Sequence, residues 1–287
     1  MSSIEQRISD LRTHIDKLSQ TTNDQWMATL DERKRKELEF HDSHRDRTAA
    51  QVQLDQDTYE KFYGNRKYYV ATEASRKYTS DWIERYARNA VFLDYACGNG
   101  ASAIAAAKAG ASLALGLDIS PVSVQNAAAD AAKASVASNT RFFQADCENT
   151  QLPNASVDAI ICSGMLHHLD LSYAFPELRR ILRPGGRILA VEALDYNPAI
   201  KLYRMRTPEM RTKWERAHIL SLKDVKFAER FFGIGEVRYW HVLGIAAPHV
   251  GSLAPVLHKM DRVLTKVPFV QRMAWIFTFE LIRNASG

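Results

Sequence analysis

Cysteine is scarce. The 287 residues hold three, Cys97, Cys147 and Cys162. With no Cys-x-x-Cys and no His-x-x-x-His spacing, neither a disulfide framework nor a structural zinc site is expected. Each cysteine falls near the end of a predicted strand and reads as a small buried residue, not a catalytic thiolate. Long apolar runs are missing too. No stretch reaches the ~18 residues of a membrane span. The start, Met1-Ser-Ser-Ile-Glu-Gln-Arg, is charged and has no apolar core, unlike a secretory signal. A cytoplasmic location is the default. Nor is there a strong excess of one charge. Lys and Arg number 38 against 33 acids, for a net charge of +5 and a pI near 9.0. That balance permits an anionic partner without demanding one. No long basic run appears, so nucleic acid is not an expected partner. Internal repeats are absent.

What is present is ordinary for a soluble globular chain: 46% hydrophobic and 25% charged residues. The length suits one domain of roughly 200 residues plus extensions. From residue 90 onward, short apolar strands alternate with helices. Strands are predicted at 90–96, 112–118, 140–145, 157–162, 187–193, 235–242 and 274–282. Helices are predicted at about 100–109, from Pro121 with Ser120 as cap, at 171–183 and near 222–232. This pattern predicts an α/β fold with a doubly wound, mostly parallel sheet covered on both faces. The division expected is a helical N-terminal extension or lid over 1–88, then a ligand-binding domain over 89–287. Insertions are expected near 195–221 and 243–272.

The extension carries three signals. Ile4, Ile8, Leu11, Ile15 and Leu18 recur at four-three spacing, which predicts an amphipathic helix over 1–19. Packing on the domain that follows is preferred to a lid or dimer contact, although the seam leaves a homodimer open. Residues 20–30 read as turn-rich, with Thr21-Thr22-Asn23-Asp24 as a helix cap. Residues 31–47 alternate in charge sign and read as a solvated helix face. His41 and His44 share that stretch but lack a third ligand, so no metal site is expected. Residues 57–88 are dense in rings: Tyr59, Phe62, Tyr63, Tyr68, Tyr69, Tyr78, Trp82 and Tyr86. They are expected to pack helices onto the sheet and partly to shape a pocket.

The chain is organised around 90–100. An apolar strand ends in Asp94, turns through Ala96-Cys97-Gly98-Asn99-Gly100, and enters an alanine-rich helix. A buried strand turning sharply into a helix N-terminus cradles nucleotides. Gly98-x-Gly100-x-x-Ala103 also fits the dinucleotide fingerprint, so a Rossmann-type oxidoreductase is one alternative. An anionic pyrophosphate has no obvious use for Asp94, whereas a cationic ligand does. Asp118 ends strand two, 24 residues on, where an acid accepts hydrogen bonds from ribose hydroxyls. Asp146 ends strand three. His167 and His168 follow strand four, and Glu192 ends strand five, where it can orient one of them.

Taken in order, these pieces resemble the class I S-adenosylmethionine-dependent methyltransferases of small-molecule type. The stretch at 94–100 is similar to their motif I, with Ala96 in place of the first glycine. Gly164-Met165-Leu166-His167-His168-Leu169 looks like their motif IV region. Leu182-Arg183-Pro184-Gly185-Gly186-Arg187-Ile188-Leu189 resembles their turn into strand five. The likeness covers 90–193 well and 220–282 loosely. It implies a seven-stranded Rossmann-like fold and S-adenosylmethionine as cofactor. The positions implied to hold it are Asp94, Ala96, Cys97, Gly98, Gly100, Asp118, Ile119, Asp146, Cys147 and Ser163. Asp146 is implied to face the adenine amino group, with Cys147 beside the ring.

The reaction implied is methyl transfer to an oxygen or nitrogen, less readily a carbon, of a small and amphiphilic organic molecule. His167 or His168 would take the proton, with Glu192 as their partner. An RNA methyltransferase is the other alternative. The base-methylating types resemble one another in an Asn/Asp-Pro-Pro-aromatic motif after strand four, and Cys162-Ser163-Gly164-Met165 lacks it. No cysteine follows proline, as base carbon-methylating types often require. A non-catalytic module is disfavoured because every cofactor-facing motif is retained. The insertions carry Tyr203, Arg204, Arg206, Pro208 and Trp214 as substrate-pocket candidates. Residues 267–281 are apolar enough for membrane-surface contact. Alternation of Trp275, Phe277, Phe279 and Leu281 on one strand face is the preferred account.

Overall fold

Strand β1 (Val91–Tyr95) is buried at every position, as an apolar run inside a covered sheet must be. It pairs in parallel with β2 (Leu113–Asp118) on one side and β4 (Val157–Ser163) on the other. Strand β3 (Thr140–Gln144) lies beyond β2, and β5 (Leu182–Ala193) beside β4. Strand β7 (Ile276–Ile282) runs antiparallel between β5 and β6 (Gly233–Trp240). The seven strands follow the order β3-β2-β1-β4-β5-β7-β6. Strand order reverses between β1 and β4, and such a switch point opens a crevice at the carboxyl edge. This computed structural model describes residues 4–45, 71–207 and 212–285.

Four helices precede the sheet among the described residues. In α1 (Ile4–Leu18), Leu11 and Ile15 are buried in the same core cluster as β1, β3 and β4. Arg7 donates through both terminal nitrogens to Asp158 at 2.9 and 2.7 Å. The preferred sequence reading, a helix lying on the domain, describes this arrangement. Helix α2 (Asn23–Thr29) is a difference from the turn-rich reading of 20–30. Thr22 and Gln25 form a reciprocal capping box that starts a helix after two turn residues. Helix α3 (Glu32–Arg45) follows. Helix α4 (Glu73–Ala87) buries Trp82 against Phe92 and the alanine face of α5 (Ala101–Lys108). Of the aromatic run, Tyr59, Phe62, Tyr63, Tyr68 and Tyr69 lie outside the described residues.

The remaining helices cover the sheet and its edge: α6 (Pro121–Lys133), capped by Ser120, and α7 (Leu171–Ile181), capped by Asp170. The insertion at 195–221 holds α8 (Pro198–Arg206) and α9 (Lys213–Ala217). Helix α10 (Leu222–Ala228) precedes β6, and α11 (Ala254–Leu264) lies in the second insertion. Two boundaries differ from the sequence reading. Strand β5 begins at Leu182 and contains Pro184-Gly185-Gly186, with a register shift opposite Val157 and Ala159. Trp275 falls just outside β7, whereas Phe277, Phe279 and Leu281 are fully buried in the main core.

The turn after β1 is shaped by three left-handed residues, Ala96, Gly98 and Gly100. Gly100 has φ 76°, and a Cβ there would lie 2.8 Å from Ala127 Cβ and 2.7 Å from the Phe142 ring. Ala96 also sits in this region, at φ 57°, a conformation that costs an L-residue roughly 1 kcal/mol. Substituting Gly100→Ala adds both strain and overlap. Chemical denaturation is expected to show a loss on the order of 2–4 kcal/mol.

Candidate active site

The carboxyl edge of the sheet bears a run of acids. Asp118, at the end of β2, accepts the Gly98 N–H at 2.8 Å and the Ser120 N–H at 2.9 Å. One carboxylate thereby ties the glycine turn to the start of α6. Asp94 is buried at the end of β1 and accepts the Ala103 N–H of α5 at 3.1 Å. Burial pushes Asp94 up to about 7, and the nearby Asp118 charge adds to the rise against backbone N–H groups of α5. Tyr95 donates its hydroxyl to the Cys147 carbonyl, joining the ends of β1 and β3. Burial raises the Cys147 and Cys162 thiols well above their ordinary range. Neither is poised as a thiolate.

A cavity of about 100 Å³ opens at this edge. Ala96, Asp118, Ile119, Asp146, Cys147, Ser163 and His168 line it, all of them named from the sequence. Asp94, Cys97, Gly98 and Gly100 do not line it; they build the turn behind it. His167 and Glu192 also stand behind the wall. Glu192 is 1% exposed and accepts the Met165 and Leu166 N–H groups at 2.8 and 2.7 Å. Its other oxygen meets His167 Nδ1 at 2.7 Å. Burial pulls His167 down, but the Glu192 charge and hydrogen bond, with Glu215 adding, outweigh it and raise its pKa. His168 lies against His167 with ring centroids 4.3 Å apart.

The second wall is α3, and here the reading of 31–47 as a solvated face is corrected. Arg33, Lys34, Glu37 and His41 turn inward and line the cavity. Arg33 grips Glu148 with two contacts of 2.6 and 2.8 Å and donates to the His168 carbonyl at 3.0 Å. Lys34 reaches Asp146 at 2.6 Å and Glu148 at 2.9 Å. Burial lowers the Lys34 pKa, but its bonds to Asp146 and Glu148 prevail and raise it. Glu37 meets His168 Nδ1 at 2.9 Å and accepts the Thr212 hydroxyl. Burial favours its neutral form, yet these hydrogen bonds win and lower its pKa. Glu37 therefore stays a carboxylate facing His168. His41 is no isolated ring either: it, Glu37 and His168 bring ligand atoms within 4.8 Å of one another. His41 therefore has two further ligand groups beside it, Glu37 and His168. His44 lies outside the described side chains.

The insertion contributes Glu215, 3.8 Å from His167 Nε2, and Trp214, whose ring lies 4.7 Å from the Arg33 guanidinium. The Tyr203 ring and Pro208 lie outside the description. Arg33, Lys34, Glu37, Glu148, Thr212 and Glu215 were not singled out from sequence, and His41 was considered only as a metal ligand. The four-residue spacing of Arg33, Glu37 and His41 was the available signal, since it aligns them on one helix face.

Residues 92–186 match the family model described as Methyltransferase domain. The 27-O-demethylrifamycin SV methyltransferase of Amycolatopsis mediterranei is 38% identical over 97 residues, 33% of this chain and 36% of that one. The ribosomal protein L11 methyltransferase of Pasteurella multocida is 29% identical over 143 residues, 47% of each chain. The chain thus spans about a third to a half of the length of these curated relatives. Among solved structures, the geranyl diphosphate C-methyltransferase of Streptomyces coelicolor superposes with a TM-score of 0.54 at 14% identity. That match covers 72% of this chain and 79% of the other. The sheet has the Rossmann-like fold of this solved methyltransferase, and residues 92–186 within it match a methyltransferase domain.

The ion pairs from Arg33 and Lys34, together with Leu38 buried beside Trp26, Leu30 and Ile119, seat α3 on the sheet edge. Lys34→Ala is expected to speed amide hydrogen exchange across α3 while leaving β1 and β4 unchanged, as measured by mass spectrometry.

Proposed function

We propose that this chain is an S-adenosylmethionine-dependent methyltransferase acting on an oxygen or nitrogen of a small organic molecule. The observation that carries the reading is convergence: Asp118 at the end of β2 and Asp146 just past β3 meet in one cavity beside the glycine turn. The donor set suits an adenosyl group. Asp118 offers acceptors for ribose hydroxyls, Asp146 an acceptor for an amino group, and Ile119 and Cys147 apolar contact for a ring. Lys34 occupies Asp146 at 2.6 Å, so an adenine amino group that takes this carboxylate displaces Lys34 from it. The bound cofactor supplies a sulfonium methyl that is already electrophilic.

The chain's own work is to align the acceptor and manage its proton. His168 is the ring on the cavity wall, and Glu37 fixes its orientation through Nδ1. Its Nε2 is the atom assigned to take the proton of a hydroxyl, phenol or amine. His167 belongs to the support, held between Glu192 and Glu215. His168→Ala is expected to lower turnover ~10²–10⁴-fold on whichever phenol, alcohol or amine is methylated, with little change in cofactor affinity. His167→Ala is expected to cost stability instead, on the order of 1–3 kcal/mol, because it strips a partner from buried Glu192. Equal losses of turnover in both variants would contradict this division.

Calorimetry tests the cofactor. S-adenosylhomocysteine is expected to bind and NAD is not. An ammonium near Asp94 favours its ionised form, so a carboxyl held at about 7 gives up its proton on binding. Titrations near pH 6 in buffers of differing ionisation enthalpy should show proton release, and the release should vanish near pH 8.5. Binding of NAD in place of S-adenosylhomocysteine would overturn the reading.

A further inference from the structure

Large apolar side chains left in water need a reason when they cluster. Among the described residues eleven are exposed, and seven of these fall between Leu253 and Met273. On α11, Val256, Met260 and Val263 follow the spacing that puts side chains on one helix face. Val263 is 65% exposed, and Phe269, in the turn after the helix, is 78% exposed. The same stretch bears a one-sided charge. Lys259, Arg262, Lys266 and Arg272 are all exposed, and its single acid, Asp261, is buried. Asp261 is also already engaged, accepting the Leu243 and Gly244 N–H groups at 2.7 and 2.8 Å. Its charge does not offset the four cations at the surface.

The place of this face in the fold matters. The segment leaves the sheet after Trp240 and returns at Ile276, and those two residues pair with each other. Ile276 also pairs with Ala193, so the face stands at the carboxyl edge, the edge that carries the candidate active site. Asn197 ties it to the start of α8 by donating to the Met273 carbonyl at 2.6 Å. Helix α8 adds Met205, 77% exposed, to the same edge. The strand alternation that disfavoured membrane contact applies to Phe277, Phe279 and Leu281, which are buried. It does not apply to residues 253–273.

We propose that α11 and the turn after it form a docking surface for an anionic phospholipid bilayer. An apolar helix face flanked by Lys and Arg lies in the interface plane, its apolar side chains among the acyl chains and its cations against the phosphates. A neutral protein partner would leave the four cations unmatched, and a purely polar acidic one would leave the apolar face unmatched. The geometry delivers the carboxyl edge to the membrane surface, and with it an acceptor dissolved in the bilayer.

Co-sedimentation with sucrose-loaded vesicles tests this on the full chain. Vesicles of phosphatidylcholine with about a third phosphatidylglycerol should carry the protein down. Pure phosphatidylcholine should bind roughly tenfold less or weaker, and 0.5 M salt (on the order of a 4 Å screening length) should release the bound protein. The double variant Val263→Asp, Phe269→Asp should lose roughly tenfold or more of the partitioning. Both side chains are exposed, so its thermal midpoint should stay that of the wild type. Wild-type protein left in the supernatant with anionic vesicles would overturn the proposal. So would a double variant that binds as well as wild type, or equal binding to both vesicle types. Light scattering covers the remaining occupant: a wild-type dimer that the double variant splits, without vesicle binding, would make this face a contact between copies of the chain.

Discussion

The carboxylate of Asp118 holds the site together. It is 3% exposed and accepts N–H groups from two segments, the turn after β1 and the start of α6. A buried carboxylate is tolerable only when such donors replace water. The bond to Gly98 fixes how close the glycine turn comes to β2, and the bond to Ser120 fixes where α6 begins. Ser120 then caps α6 through the Ser123 N–H. The cavity exists because these ends are held at one edge with their acceptors facing it. Replacing Asp118 would disturb the turn and the ligand acceptors together, so its two roles are not separable by deletion.

Opposite this acidic edge stands a basic helix. Asp146 and Glu148 in the turn after β3, with Lys34 and Arg33 on α3, form a small network of part-buried ion pairs. Partly buried pairs are screened less by salt than surface ones. Yet they are reversible contacts, unlike the apolar burial of Leu11 and Ile15 that anchors α1. The extension is committed to the core through α1, and α3 is held over the cavity by these charges together with buried Leu38. A ligand that satisfies Asp146 competes directly with Lys34, and this couples binding to the position of α3.

The central fold was legible because its signals are local. Continuous apolar strands, Ser120 before Pro121, and Asp94 and Asp118 at strand ends need no tertiary information. Ala96 in a glycine position was legible too, and the turn holds it at a left-handed φ that a glycine would adopt without the Cβ penalty. The α3 wall was not legible. Its mean composition is that of a solvated helix, and which face turns inward depends on Glu148 and Asp146, more than a hundred residues away. The choice between His167 and His168 also escaped the sequence. Two adjacent rings differ only in whether Glu192 or Glu37 holds them, and Glu37 comes from the helix misread as solvated. Residues 253–273 show the same limit, since an apolar helix pattern does not say whether its face is covered.

A crystal structure of the complex with S-adenosylhomocysteine bears most directly on the central claim. The account predicts both ribose hydroxyls on the Asp118 carboxylate, the adenine amino group on Asp146, and Lys34 displaced from Asp146. A ligand bound away from β2 and β3, or one seated with the Lys34–Asp146 pair intact, would contradict it.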